Sequence, residues 1–100
     1  MPPFLYYRPS FERSRKHLDT GQAKTVGLIL EALKIYYGSG GDLKKAKKVS
    51  LRFFYKKLRT PYYEAGIDNR LRIIISREGN KAVAVLAGNH DQIRRFLLEI

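Results

Sequence analysis

The chain has 100 residues, 44% of them hydrophobic and 29% charged, which supports one hydrophobic core, excludes a multidomain enzyme and excludes wholesale disorder. Twenty Lys and Arg against nine Asp and Glu leave a formal net charge of +11, so the expected partner is polyanionic: nucleic acid, an anionic membrane or an acidic protein. The absence of cysteine excludes disulfide frameworks, thiol nucleophiles and thiolate metal sites, and with His17 and His90 in no metal-ligand spacing no metal or other cofactor is expected.

The first residues, Met1 to Arg8, carry neither a basic leader nor a long apolar run, and no stretch approaches the roughly 20 apolar residues of a membrane span. A cytoplasmic protein is therefore expected, without a membrane partner. Phe4 to Tyr7, between Pro2-Pro3 and Pro9, is a β-prone run suited to an edge strand or an extended arm. Ser10 is placed to cap a short helix carrying Phe11 and Leu18 on one face. Gly21 punctuates the chain, and from Gln22 to Tyr37 the residues Val26, Ile29, Leu30, Leu33 and Tyr36 recur at helical spacing.

Gly38, Gly40 and Gly41 end that helix. From Leu43 to Arg59 the chain holds eight cations and no acid. Three β-rich runs follow, Tyr62 to Ile67, Leu71 to Ser76 and Ala82 to Ala87, separated by turn chemistry at Asp68-Asn69 and Glu78-Gly79-Asn80. The last is apolar on both faces, as a central strand requires. Asn89 or Asp91 caps a final helix whose stripe is Ile93, Phe96, Leu97 and Ile100, with Arg94 and Arg95 pointing away. The expected architecture is α+β: one domain over residues 1–100, with two N-terminal helices packed on a small twisted antiparallel sheet and a short C-terminal helix.

The basic segment has two readings, a solvated loop or short helix, or an RNA-binding surface. The second gains weight because Phe53, Phe54, Tyr55, Tyr62 and Tyr63 interleave with Arg52, Lys56, Lys57 and Arg59. Single-stranded RNA is held by such mixtures, cations on phosphates and rings on unstacked bases. Arg72, set among Leu71, Ile73, Ile74 and Ile75, is either paired with Glu64 or Asp68 or aimed at a phosphate. His90 follows Gly88-Asn89 at a strand-to-helix junction, where it either transfers a proton or merely caps and packs. No P-loop, dinucleotide fingerprint, nucleophile elbow or helix-turn-helix signature occurs. Phosphodiester cleavage by the RNA's own 2′-hydroxyl needs a base, cations on the phosphorane and an acid for the leaving oxygen. Glu64, His90, Lys56, Lys57, Arg70 and Arg72 supply those types.

Lys56-Lys57-Leu58, Tyr63-Glu64 to Ile67, Leu71-Arg72-Ile73-Ile74 and Leu86-Ala87-Gly88-Asn89-His90-Asp91, in that order, resemble the RelE/ParE superfamily of toxin–antitoxin toxins over nearly the whole chain. The resemblance implies a toxin neutralised by a cognate acidic antitoxin. In the RelE branch it implies metal-independent, ribosome-dependent cleavage of mRNA. Arg72 and the pair Lys56-Lys57 match basic positions of that family, and His90 matches a place where many members carry a cation. Catalytic roles then fall to Arg72, His90, Glu64 and Lys57, and RNA contacts to Lys56, Arg70, Arg52, Arg59, Tyr63, Arg94 and Arg95. Two positions depart from the pattern: Ala65-Gly66 stands where a basic residue is common, and Arg94-Arg95-Phe96 follows His90 where many members have a tyrosine. The alternative expectation is a ParE-like toxin that binds DNA gyrase without hydrolysis, or a catalytically decayed RNA-binding relative.

Overall fold

A computed structural model describes residues 4–100; Pro2 and Pro3, read above as flanks of the first strand, lie outside them. In chain order the elements are β1 (Phe4–Tyr7), α1 (Pro9–Arg15), α2 (Thr20–Gly38), α3 (Leu43–Ala46), β2 (Phe54–Lys57), β3 (Tyr62–Gly66), β4 (Arg72–Glu78), β5 (Lys81–Gly88) and α4 (His90–Glu99). The sheet runs β1-β5-β4-β3-β2. Strands β2 to β5 pair antiparallel, but β1 pairs parallel with β5. The sheet is thus mixed rather than wholly antiparallel, since side-chain alternation reports which residues share a face and says nothing of strand direction.

Local chemistry sets the helix boundaries. Asp19 and Gln22 form a reciprocal capping box, so α2 begins at Thr20 and Gly21 lies within its first turn instead of interrupting the chain. Ser10 does not cap α1: Pro9 occupies the first helical position, where the missing N–H costs nothing, and the cap residue is Arg8. Gly40 and Gly41 leave α2 at φ +72° and +92°, backbone that side-chain-bearing residues avoid. Asn89, not Asp91, caps α4, again through a reciprocal box with Gln92.

Both faces of the sheet are covered. Phe11 of α1 and Val26, Ile29, Leu30 and Leu33 of α2 are buried with Ile73, Ile75, Ala82, Ala84 and Ala87 on one face. On the other, Ile93 of α4 is buried with Ile74 and Val85, flanked by Leu58, Tyr62, Phe96 and Leu97. Ile73, Ile74 and Ile75 are consecutive and all fully buried, which an alternating strand achieves only between two layers.

A β-bulge makes β5 fit this arrangement. Ile74 pairs with Leu86 but Ile75 with Ala84, leaving Val85 as the extra residue. The slip brings Ala87 to the same face as Ala82 and Ala84 despite the odd spacing, and α1 approaches over these small residues. It also disturbs the ladder, and two α1 serines make hydrogen bonds there. The Ser10 hydroxyl donates to the Val85 carbonyl at 2.6 Å. Ser14 Oγ accepts the buried Ala87 N–H at 3.1 Å while donating to the Phe11 carbonyl. Ser14→Ala strands that N–H and should cost about 1–3 kcal/mol, read as a lower urea midpoint; an unchanged midpoint would refute the role given to Ser14.

Candidate functional site

One row of residues crosses the sheet at the end where α4 begins: Phe54 pairs with Gly66, Gly66 with Arg72, and Arg72 with Gly88. Arg72 is thus flanked by two glycines, and each leaves needed room. A Cβ on Gly66 would stand 2.8 Å from the Phe54 ring and 3.4 Å from Arg72 Cγ, and one on Gly88 would meet the Gln92 side chain at 2.7 Å. The space above Gly66 lets the Phe54 ring lie against the guanidinium, 5.2 Å from ring centroid to Cζ. Arg72 Nη1 donates to Glu64 Oε1, an ion pair whose carboxylate is 3% exposed. Of the two readings left open above, the geometry therefore shows Arg72 paired. It is not used up, since a guanidinium carries five donors; the Nε–H itself is buried and has no hydrogen-bond partner among the described residues.

Lys56 lies opposite Glu64 on this face, exposed and in no ion pair among the described residues. His90, the first residue of α4, is two residues beyond Gly88 and exposed, while the adjacent Asn89 does the capping. Lys56, Glu64 and Arg72 thus share one face of the sheet across β2, β3 and β4, and His90 follows the end of β5 that pairs with Arg72.

Neighbours on a strand point to opposite faces, so Lys57 does not join Arg72. It pairs with Tyr63 on the α2 side. There Tyr55 and Tyr63 stack at 5.1 Å and 15°, Tyr36 lies 4.6 Å from Tyr55, and the Tyr37 hydroxyl donates to the Tyr55 hydroxyl at 2.8 Å. Arg77 of β4 sits over the Tyr37 ring at 5.3 Å. Burial, reinforced by the shared hydrogen bond, pushes the Tyr37 phenol far above its usual range. Burial also raises Tyr55. Both are neutral donors at physiological pH.

The other sequence-selected cations are dispersed. Arg70 lies in the β3–β4 turn, where its N–H is held by Asp68. Arg52 and Lys47 rim an open cleft of about 570 Å³ floored by Phe53, Phe54 and Ile67. Arg59 reaches the Ile100 carbonyl, at the far end of α4 and about 15 Å from His90 by helical rise. Arg94 and Arg95 are exposed along α4. Sequence reasoning passed over Arg77 and Tyr37; their signal is Arg77's odd offset from Arg72 on one strand, which assigns it to the opposite face. Among the described residues no cluster of His, Asp or Glu is suited to a metal ion, and no helix is long and apolar enough to cross a membrane.

Solved structures share this architecture. A chain of the RelB–RelE antitoxin–toxin complex of Methanococcus jannaschii aligns with a TM-score of 0.60 at 18% identity, covering 91% of this chain and 96% of that one. A chain of the E. coli DinJ–YafQ toxin–antitoxin complex gives 0.59 at 11%, covering 93% and 98%. A copper-bound mutant toxin from Helicobacter pylori gives 0.55 at 16%, covering 93% and 99%. No family model and no curated protein matches the sequence. The chain therefore has the α+β fold found in these RelE- and YafQ-type toxin–antitoxin structures.

Two outcomes test the site's construction. Glu64→Gln leaves a half-buried guanidinium without its countercharge and should destabilise the fold by about 3 kcal/mol; equal stability would show that the pair contributes nothing net. Because the phenol pKa values are raised from an ordinary 10.0, their contribution is intact below about pH 10 and lost as pH climbs above it. Urea midpoints should fall as pH rises above about 10, and less so in Tyr37→Phe; an equal fall in that variant would exclude the tyrosine pair as the cause.

Proposed function

We propose that this protein is the toxin of a toxin–antitoxin pair and acts as a RelE-like endoribonuclease that cleaves mRNA on the ribosome. What supports the proposal is a fold shared with toxins solved with their antitoxins, together with Lys56, Glu64 and Arg72 on one sheet face and His90 just past the β5 residue that pairs with Arg72. The mechanism uses the substrate's own 2′-hydroxyl. That oxygen attacks the adjacent phosphorus, its proton passes to a base, and the bond to the 5′-oxygen breaks as that oxygen is protonated, leaving a 2′,3′-cyclic phosphate and a 5′-hydroxyl.

Each residue has a part that suits its setting. Arg72 meets the charge that builds on the phosphorane, and Glu64 holds its guanidinium in place through one Nη. Lys56 adds a second positive charge on the same face. His90, exposed on the first turn of α4, serves as the proton-transfer group. Glu64 is a positioning carboxylate in this scheme, because its burial and its bond to Arg72 occupy it. Lys57 and Tyr63 lie across the strand and serve binding rather than the reacting phosphate. Arg52, Arg59, Arg70, Arg94 and Arg95 supply long-range attraction to the ribosome's RNA.

The neutralising partner is an antitoxin with an acidic segment, which the +11 charge favours. The setting is the cytoplasm, where ribosomes work.

The test is an in vitro translation reaction with primer extension on the mRNA. Wild type should produce discrete cuts in ribosome-bound message, and Arg72→Ala or His90→Ala should slow cutting about 100-fold or more. Intact mRNA at protein levels that stop growth would overturn the nuclease reading, and inhibited gyrase supercoiling in its place would establish the non-hydrolytic alternative.

A further inference from the structure

Arg77 presents an anomaly that the proposed catalytic end does not absorb. Three ion pairs occur among the described residues, and they engage Arg8, Arg15 and Arg72. Arg77 is partly buried, yet no carboxylate among the described residues pairs with it and its buried Nε has no partner there. A cation withdrawn from water normally finds a countercharge. Glu78, its nearest acid in sequence, is engaged by Arg8 at 2.9 Å. What surrounds Arg77 instead is aromatic: the Tyr37 ring beneath it, and beyond it Tyr55 stacked on Tyr63.

The hydrogen-bond inventory points the same way. A phenol has one proton to donate, and the Tyr37 hydroxyl spends its own on Tyr55. The Tyr55 hydroxyl, which accepts that bond and which the Arg77 guanidinium also faces, has no acceptor for its own proton among the side-chain hydrogen bonds of the described residues. Tyr63 is half-exposed; its one aromatic neighbour among the described residues is Tyr55, which covers one face of its ring. Lys57, exposed and paired with Tyr63 across the ladder, puts a further free cation at the rim.

From these contacts we infer that Tyr63, Lys57 and Arg77 form a nucleotide-binding shelf on the α2 side of the β2 edge, taking one base of single-stranded RNA on the Tyr63 ring and an adjoining phosphate on Arg77 and Lys57. An aromatic platform flanked by donors without countercharge is what an unstacked base and its phosphate require. The shelf lies across the sheet from Arg72, so an RNA bound at both places passes over the β2 edge. This rests on RNA being the ligand, as proposed above, but it concerns binding and not cleavage.

The test is fluorescence anisotropy of a labelled, unstructured hexameric RNA with wild type, Arg77→Gln, Tyr63→Leu and Lys57→Gln. Arg13→Gln, on the exposed face of α1, serves as the control for lost charge, and thermal melting confirms folding. Arg77→Gln and Tyr63→Leu should each weaken binding about tenfold, with Arg13→Gln within about twofold. Arg77→Gln should also reduce the salt slope by about 0.7. If Arg77→Gln does not fold, Lys57→Gln, altered at an exposed side chain, carries the same expectation. Wild-type binding that the shelf variants leave within twofold would overturn the shelf alone. No binding by wild type would overturn the shelf and the RNA reading together. Binding lost in the variants while wild type cuts no message would uphold the shelf and refute the nuclease.

Discussion

Burial of β4 on both faces is the constraint from which the rest of the structure follows. Ile73 and Ile75 are sealed beneath α1 and α2, and Ile74 is sealed beneath α4. A strand so enclosed has no room for chemistry along its middle, so its polar residues are pushed to its ends: Arg72 where β4 begins, Ser76 and Arg77 where it finishes. The same double burial requires small residues on β5 where α1 crosses, and the Val85 bulge supplies them by turning Ala87 toward the helix. Polar contacts on both sides of the sheet are thus consequences of its apolar centre.

The excess of positive charge acquires a geometry on this scaffold. Strand β2 is the open edge farthest from β1, and it carries Lys56 to one face and Lys57 to the other. Each face also carries, beyond β3, an arginine of β4 set against a ring, Arg72 against Phe54 and Arg77 against Tyr37. The two arginines differ in one respect: Arg72 has a carboxylate and Arg77, among the described residues, does not. Glu64 therefore gives Arg72 a fixed orientation, which suits a group that must meet a developing charge. Arg77, with no countercharge, is better fitted to hold an anion that is already present.

Much of this was legible in the residues. Helical spacing from Val26 to Leu33, the turns at Asp68-Asn69 and Glu78-Gly79-Asn80, and the doubly apolar Ala82 to Ala87 are local signals, and local physics determines them. The parallel pairing of β1 was not legible, because a four-residue strand carries no mark of its partner. Gly21 does not punctuate and Ser10 does not cap, because Asp19 and Pro9 make stronger helix starts than either. At the site, Glu64 as a partner for Arg72 was foreseeable from the eight-residue separation across a short turn. The separation of Lys56 from Lys57 follows from strand alternation once β2 is known to span Phe54–Lys57. The tyrosine group around Arg77 was not legible, since it joins the end of α2 to three strands and no sequence interval encodes that meeting.

The proposed nuclease end and the nucleotide shelf together require RNA to lie at the β2 edge, on both of its faces. Titration of ¹⁵N-labelled protein with an unstructured RNA, followed by amide chemical shifts, tests this most directly and tolerates weak affinity. The shifts are predicted to concentrate at Phe54 to Lys57, Tyr63 to Gly66, Arg72, Arg77 and the first turn of α4. Shifts confined to the outer surfaces of α1 and α2, around Arg13, Lys16, Lys24 and Lys34, or no shifts at all, would contradict it.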